Sequence, residues 1–164
     1  MSIEPGLVVL IVVVFVAAAL LKRAKKGGAS APQSRYTRSA YLLSKAELSF
    51  YGVLKQAVGE NGVIFSKVRV ADVLSPVKGQ ERSAWQRAFN KISAKHFDFV
   101  ICEPNGSSIR LALELDDSSH NSSKRVKRDE FLNQACESAE LPLLRIRAAK
   151  SYSIEDIREQ LATC

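Results

Sequence analysis

Cysteine and histidine are scarce in this chain of 164 residues: Cys102, Cys136 and Cys164 show no C-x-x-C spacing, and His96 and His120 are the only histidines. A structural zinc site needs four such ligands and a disulfide framework an even, patterned set, so neither is expected. Cys102 falls in a strand-like run and Cys136 in a helical one. Both read as small core residues in a reducing compartment. No internal repeat is visible.

Also missing is a positive segment ahead of the apolar run Leu7–Leu21, where only Glu4 precedes it. A secretory signal would carry its bases there. They follow instead, at Lys22, Arg23, Lys25 and Lys26. All fifteen residues of the run lack a polar side chain, and twelve are Leu, Ile, Val or Phe. A helix from Gly6 would span about 24 Å, against a hydrocarbon core of about 30 Å, and snorkelling of Lys22 and Arg23 with local thinning can cover the difference. The expectation is a single-pass anchor over residues 1–21. The bases after it place the rest of the chain on the cytoplasmic side of the membrane.

The charge of +7 is not a property of the whole chain. Residues 1–40 hold six Lys and Arg against one acid, whereas residues 41–164 hold eighteen against sixteen. Most of the excess therefore sits in a basic juxtamembrane linker, residues 22–40, suited to anionic lipid. Any case for DNA must come from local clusters within 41–164.

That region reads as one α/β domain. Ser44 and Glu47 form a capping box, and Leu43 and Leu48 have the spacing of a hydrophobic staple. They open a helix from Lys45 to Val58 whose buried stripe is expected at Leu48, Tyr51, Leu54 and Val58. A strand is predicted over Val63–Val70, followed by a less regular segment. A short helix is predicted over Trp85–Ser93, with Trp85 as a packing residue. Two strands then form a hairpin, a helix covers Lys124–Ala139 with Phe131, Leu132, Ala135 and Ala139 on one side, Leu143–Arg147 is a strand, and Ser153 caps a last helix to Leu161. Alternating short elements suggest three layers around a mixed sheet.

The hairpin carries the chemistry. In its first run Phe97, Phe99 and Ile101 alternate with Asp98, and in its second Leu111, Leu113 and Leu115 alternate with Glu114 and Asp116. Strand side chains alternate faces, so each run has an apolar face and an acidic one. The turn is Pro104, Asn105, Gly106 and Ser107. A two-residue loop at Asn105 and Gly106 sets Asp98 opposite Leu113; a three-residue loop through Ser107 sets it opposite Glu114. Only the second parity makes a site. Three close carboxylates repel one another, and a hard cation such as Mg²⁺ offsets that repulsion. The bland alternative is a solvated outer face of an antiparallel hairpin.

An Asp on one strand and a Glu on the next resembles the PD-(D/E)xK nuclease superfamily, with Asp98 and Glu114 at its acidic positions and Asp116 where its Lys is expected. More closely, LLSKAELSFYGVLKQAV, KISAKHFDFVIC, LALELDDSSH and LPLLRIRAAKSY are similar to a bacterial family, domain of unknown function 2726, usually placed in that superfamily. The resemblance covers Leu42–Leu161. It implies a restriction-endonuclease-like fold and Mg²⁺-dependent cleavage of DNA, with Asp98, Glu114 and Asp116 at the metal. His120 inherits a role as base or proton shuttle, beside Asp117, whose plainer reading is a turn residue. The displaced Lys is sought at Lys124 or Lys127, with Lys95 behind them. Lys124, Arg125, Lys127 and Arg128 crowd a predicted helix start, where positive charge opposes the macrodipole, and phosphate contact is the functional reading. Glu47, already explained as a cap, is a further acid that such folds bring near a metal. Loss of the motif Lys also leaves open an inactive fold that binds nucleic acid or protein at the membrane.

Overall fold

A computed structural model describes residues 6, 12–20, 35–116 and 123–164, the last segment with side chains from Asp129 onward. The chain divides into residues 1–39 and a compact unit, Ala40–Cys164. Within the first, residues 12–20 are helical and exposed. Among the described residues no helix is long and apolar enough to cross a membrane. Residues 7–11 and 21 of the apolar run lie outside them, as does most of the basic linker.

The compact unit is a mixed α/β domain built on a four-stranded sheet in sequential order. Its strands are β1 (Val63–Arg69), β2 (His96–Cys102), β3 (Ile109–Asp116) and β4 (Leu143–Arg147). The first three are antiparallel neighbours, and β4 lies parallel to β3. Its helices are α1 (Lys45–Val58), α2 (Val70–Val73), α3 (Arg82–Ile92), α4 (Ser123–Ser138) and α5 (Ile154–Ala162). Parallel β3 and β4 need a crossover, and α4 supplies it.

Helices cover both faces. On one, Phe50, Leu54, Ala57 and Val58 of α1 and Ile157 of α5 pack on Phe99, Ile101, Leu111 and Leu113. On the other, Val70 of α2, Ile92 of α3, and Leu132 and Cys136 of α4 pack on Val100, Cys102 and Ala112. The face shared by Val100 and Ala112 is thus a second core, and the solvated outer face does not exist.

Several expectations shift. The capping box forms as read, with the Glu47 backbone N–H donating to Ser44 Oγ and the Ser44 N–H to Glu47 Oε2. The α1 stripe is displaced, however: Leu48 is 58% exposed and Phe50 fully buried. Helix α3 begins three residues earlier than Trp85 because the Glu81 side chain caps it through Ser83 N–H. Strand β1 stops at Arg69, and a single turn, α2, follows in the irregular segment. Ala139 lies beyond α4 and is exposed, while Cys136 takes the buried position.

Candidate active site

The hairpin register comes from neither simple loop. Glu103 N–H donates to Ser108 carbonyl O across a four-residue loop, and Cys102 stands opposite Ile109. Continued unbroken, that parity would put Asp98 opposite Leu113. A register shift between Ile101 and Cys102 leaves Arg110 as the extra residue, so that Ile101 faces Leu111 and Phe99 faces Leu113. The pairs run to Phe99 and Leu113, one position short of Asp98 and Glu114. A bulge of this kind re-aims every side chain beyond it.

A second irregularity lies on the other side of β2. Val63 to Ser66 pair with Cys102 to Phe99, and Val68 and Arg69 with Phe97 and His96, in one register that skips Lys67 and Asp98. Lys67 has φ 55°, a left-handed conformation that costs a non-glycine residue about 1–2 kcal/mol. At this point the strand faces exchange. Phe97 and Phe99, two residues apart, would share a face in a regular strand, yet Phe99 packs in the core under α1 and Phe97 in the core under α3 and α4. The expectation that both face the same way is therefore corrected. Asp98 sits at the crossover between the cores.

This kink gathers charge. Lys67 Nζ is 2.5 Å from Glu47 Oε1 and 2.9 Å from Asp98 Oδ1. The Leu115 backbone N–H donates to the other Asp98 oxygen at 3.0 Å. Glu47 is held on its second oxygen by the Ser44 N–H, so one carboxylate caps α1 and anchors the lysine. Burial works against ionised Glu47, but the hydrogen bonds from Lys67 and Ser44 prevail and hold its carboxyl below the usual range. Burial likewise works against the charged Lys67, and its bonds to Glu47 and Asp98 prevail, raising its ammonium above the ordinary lysine value. Glu114 on β3 is 8% exposed. Asp98 of β2, Glu47 of α1 and Lys67 of β1 thus meet, whereas Glu114 of β3 lies close enough to Cys136 of α4 to act on its thiol.

Residues 39–164 match the model of a family described as a protein of unknown function, DUF2726. The chain belongs to that family. No curated protein and no solved structure gives a significant match.

The DUF2726 domain places the remaining predicted residues unevenly. Asp116 lies two positions beyond Glu114, but its Oδ1 accepts a 2.8 Å bond from Arg145 Nη1. Arg145 also donates to Asn133 Oδ1 on α4 and stands 3.8 Å from Asp129. Among the described residues no three of His, Cys, Asp or Glu form a group that could hold a metal. His120 and Asp117 lie outside the described residues. So do the side chains of Lys124, Arg125, Lys127 and Arg128, whose backbone falls in the first two turns of α4. Lys95 is elsewhere, with Nζ 5.7 Å from the Phe131 ring centre.

Lys67 was absent from the sequence candidates for a displaced lysine. Its signal was faint: Ser66 and Lys67 are consecutive polar residues between the apolar Val63–Phe65 and Val68, which breaks a period of two. Strands β1 and β2 are joined through α2 and α3, not a hairpin, so no turn chemistry announced their register. Cys102 and Cys136 are buried as expected. Burial pushes the Cys136 thiol up to about 11, with Glu114 adding to the rise and Arg145 opposing it.

Proposed function

We propose that the DUF2726 domain is a restriction-endonuclease-like, Mg²⁺-dependent nuclease acting on DNA, with its lysine supplied by β1. The observation that carries this reading is the Lys67 ammonium seated between Asp98 and Glu47. Position 116, where the motif lysine is expected, holds Asp. Lys67, held by Asp98 and Glu47, supports the reading all the same.

The donor chemistry fits the cation. Mg²⁺ takes oxygen ligands and is commonly held by one or two carboxylates, with water and substrate oxygens completing its shell. Asp98 and Glu114 would hold it, and Glu47 is within reach of the same lysine. When bound, the ion would supply a nucleophile at neutral pH and offset negative charge on the scissile phosphate. Lys67 has a defined part beside it. Its raised pKa keeps it an ammonium at neutral pH, so it donates hydrogen bonds and does not remove a proton. That suits it to orient a water or stabilise a phosphate oxygen as charge builds there. Glu47 fixes its Nζ, and the left-handed backbone at Lys67 is the kind of local strain that clusters at functional sites. The run Leu7–Leu21 and the bases after it support a single-pass anchor that holds this domain at the cytoplasmic face of the membrane.

The test is cleavage of plasmid and linear DNA by the purified full chain with Mg²⁺ or Mn²⁺. The Asp98→Ala, Glu114→Ala double variant should lose it completely while remaining folded. Cleavage that persists in that variant removes the assignment.

One observation favours a second reading, a nuclease fold kept for binding without turnover. Both oxygens of Asp98 are already engaged by Lys67 and Leu115, and Asp116 by Arg145, so the acids are neutralised without a cation. Salt-sensitive DNA binding that ignores Mg²⁺, with no cleavage in either metal, would favour it.

A further inference from the structure

Away from the acidic end of the sheet, α3 and α4 leave an open trough of about 600 Å³ between them. Its walls are short: Ala84 and Ala88, one helical turn apart on α3, face Ala135 on α4. Small residues at that spacing allow another helix to approach closely, since a helical face repeats at i and i+4. Leu74 at the floor belongs to the buried core, and Val77 at the end is 73% exposed. An apolar floor open to solvent is the usual mark of a docking groove.

The charges choose the occupant. Arg87 and Lys91, again one turn apart, are the charged residues among the described lining, and no acid is among them. Neither makes an ion pair with a described residue: Arg87 donates to Ser83 Oγ, and Lys91 lies over the Phe131 ring. A second cavity, about 580 Å³ near Arg110 and Arg158, differs on this point, because those arginines pair with Glu103 and Glu155. Nucleic acid would find no stacking surface in the α3–α4 trough. Trp85 and Phe89 stack on each other at 5.2 Å, and the Phe131 ring carries two lysines. The chain's own Lys22–Lys26 and Arg35–Arg38 segments have the wrong sign.

We propose that this trough docks an acidic amphipathic helix of a partner protein, apolar side chains on the alanines and carboxylates one turn apart on Arg87 and Lys91. This is helix-in-groove recognition, and it stands whether or not the acids at Asp98 cleave DNA. The probe is a fluorescein-labelled helical peptide with Leu along one face and Glu flanking it, titrated by anisotropy into the full chain. A twin with Lys for Glu, a thymidine oligonucleotide and oleate serve as competitors. Charge reversal by Arg87→Glu with Lys91→Glu should weaken the Glu peptide about tenfold or more and reverse the preference between the twins. Both residues are exposed, so the variant should keep its unfolding midpoint, and Val77→Asp provides a second disruption. Equal binding of the twins, indifference to both variants, or displacement by the oligonucleotide or oleate would each overturn the proposal.

Discussion

Replacing Lys67 by Met removes one positive charge from between two carboxylates and keeps most of the aliphatic stem, so hydrophobic burial changes little. The Lys67, Glu47 and Asp98 side chains are 28%, 14% and 16% exposed, and the ammonium donates to both acids. Hydrogen bonds to charged groups contribute about 1.5–3 kcal/mol each, and deleting one member of a largely buried pair leaves the rest uncompensated. Partial exposure reduces the sum, giving a loss of about 2–4 kcal/mol at pH 7 from a total that is commonly about 5–15. The pH dependence is sharper than the magnitude. Glu47 has a depressed folded pKa, so its contribution is present above its unfolded value of about 4.3 and is lost as pH falls through the folded value. Lys67 has a raised folded pKa, so its contribution is present below about 10.4 and is lost as pH rises through the folded value. Urea unfolding of the full chain should therefore show the largest gap between wild type and Lys67→Met from about pH 5 to 10, narrowing on both sides. A gap below about 1 kcal/mol at pH 7, or one that does not shrink by pH 3, would refute the reasoning.

Three further outcomes follow from the same geometry. Lys67→Gly should be about 1 kcal/mol more stable than Lys67→Ala in the same titration, because only glycine adopts the left-handed backbone without cost; equal stability would mean that the conformation is not strained. Gly62→Ala would put a Cβ 2.8 Å from the Cys102 carbonyl oxygen, and should cost about 1–3 kcal/mol by forcing backbone apart. At pH 8 iodoacetamide should label Cys164 and spare Cys102 and Cys136, since burial raises both of those thiols and leaves almost no thiolate; mass spectrometry of the native chain detecting rapid labelling at Cys136 would contradict its position in the core.

The acidic hairpin was legible because its information is local. Alternation in β2 and β3 and the Pro-Asn-Gly-Ser turn are close in sequence, and they give each strand an acid-bearing face while leaving two hairpin registers open. What sets the register from Ile101 and Leu111 to Phe99 and Leu113, the extra residue at Arg110, is a cancellation between a loop of one parity and a bulge that restores the other, and neither carries a residue that demands it. Non-local features were harder to read. Lys67 meets Asp98 through strands joined by two intervening helices, and its φ of 55° in a non-glycine residue has no sequence marker. The staple shows the same limit in reverse: Leu43 and Leu48 have the right spacing, yet Leu48 faces solvent while Phe50 enters the core between Phe99 and Tyr152. The aromatic contact outweighs the periodic pattern there. Membership of the DUF2726 family was carried by blocks spread along the whole domain, which is why it was visible before any contact was known.

The most direct measurement of the central claim is single-turnover cleavage of DNA by the full chain and by Lys67→Met, side by side in saturating Mg²⁺, with Mn²⁺ binding followed in parallel. The wild type should cleave, the variant should lose about a hundredfold or more, and both should retain metal binding. Cleavage by Lys67→Met at the wild-type rate would contradict that claim.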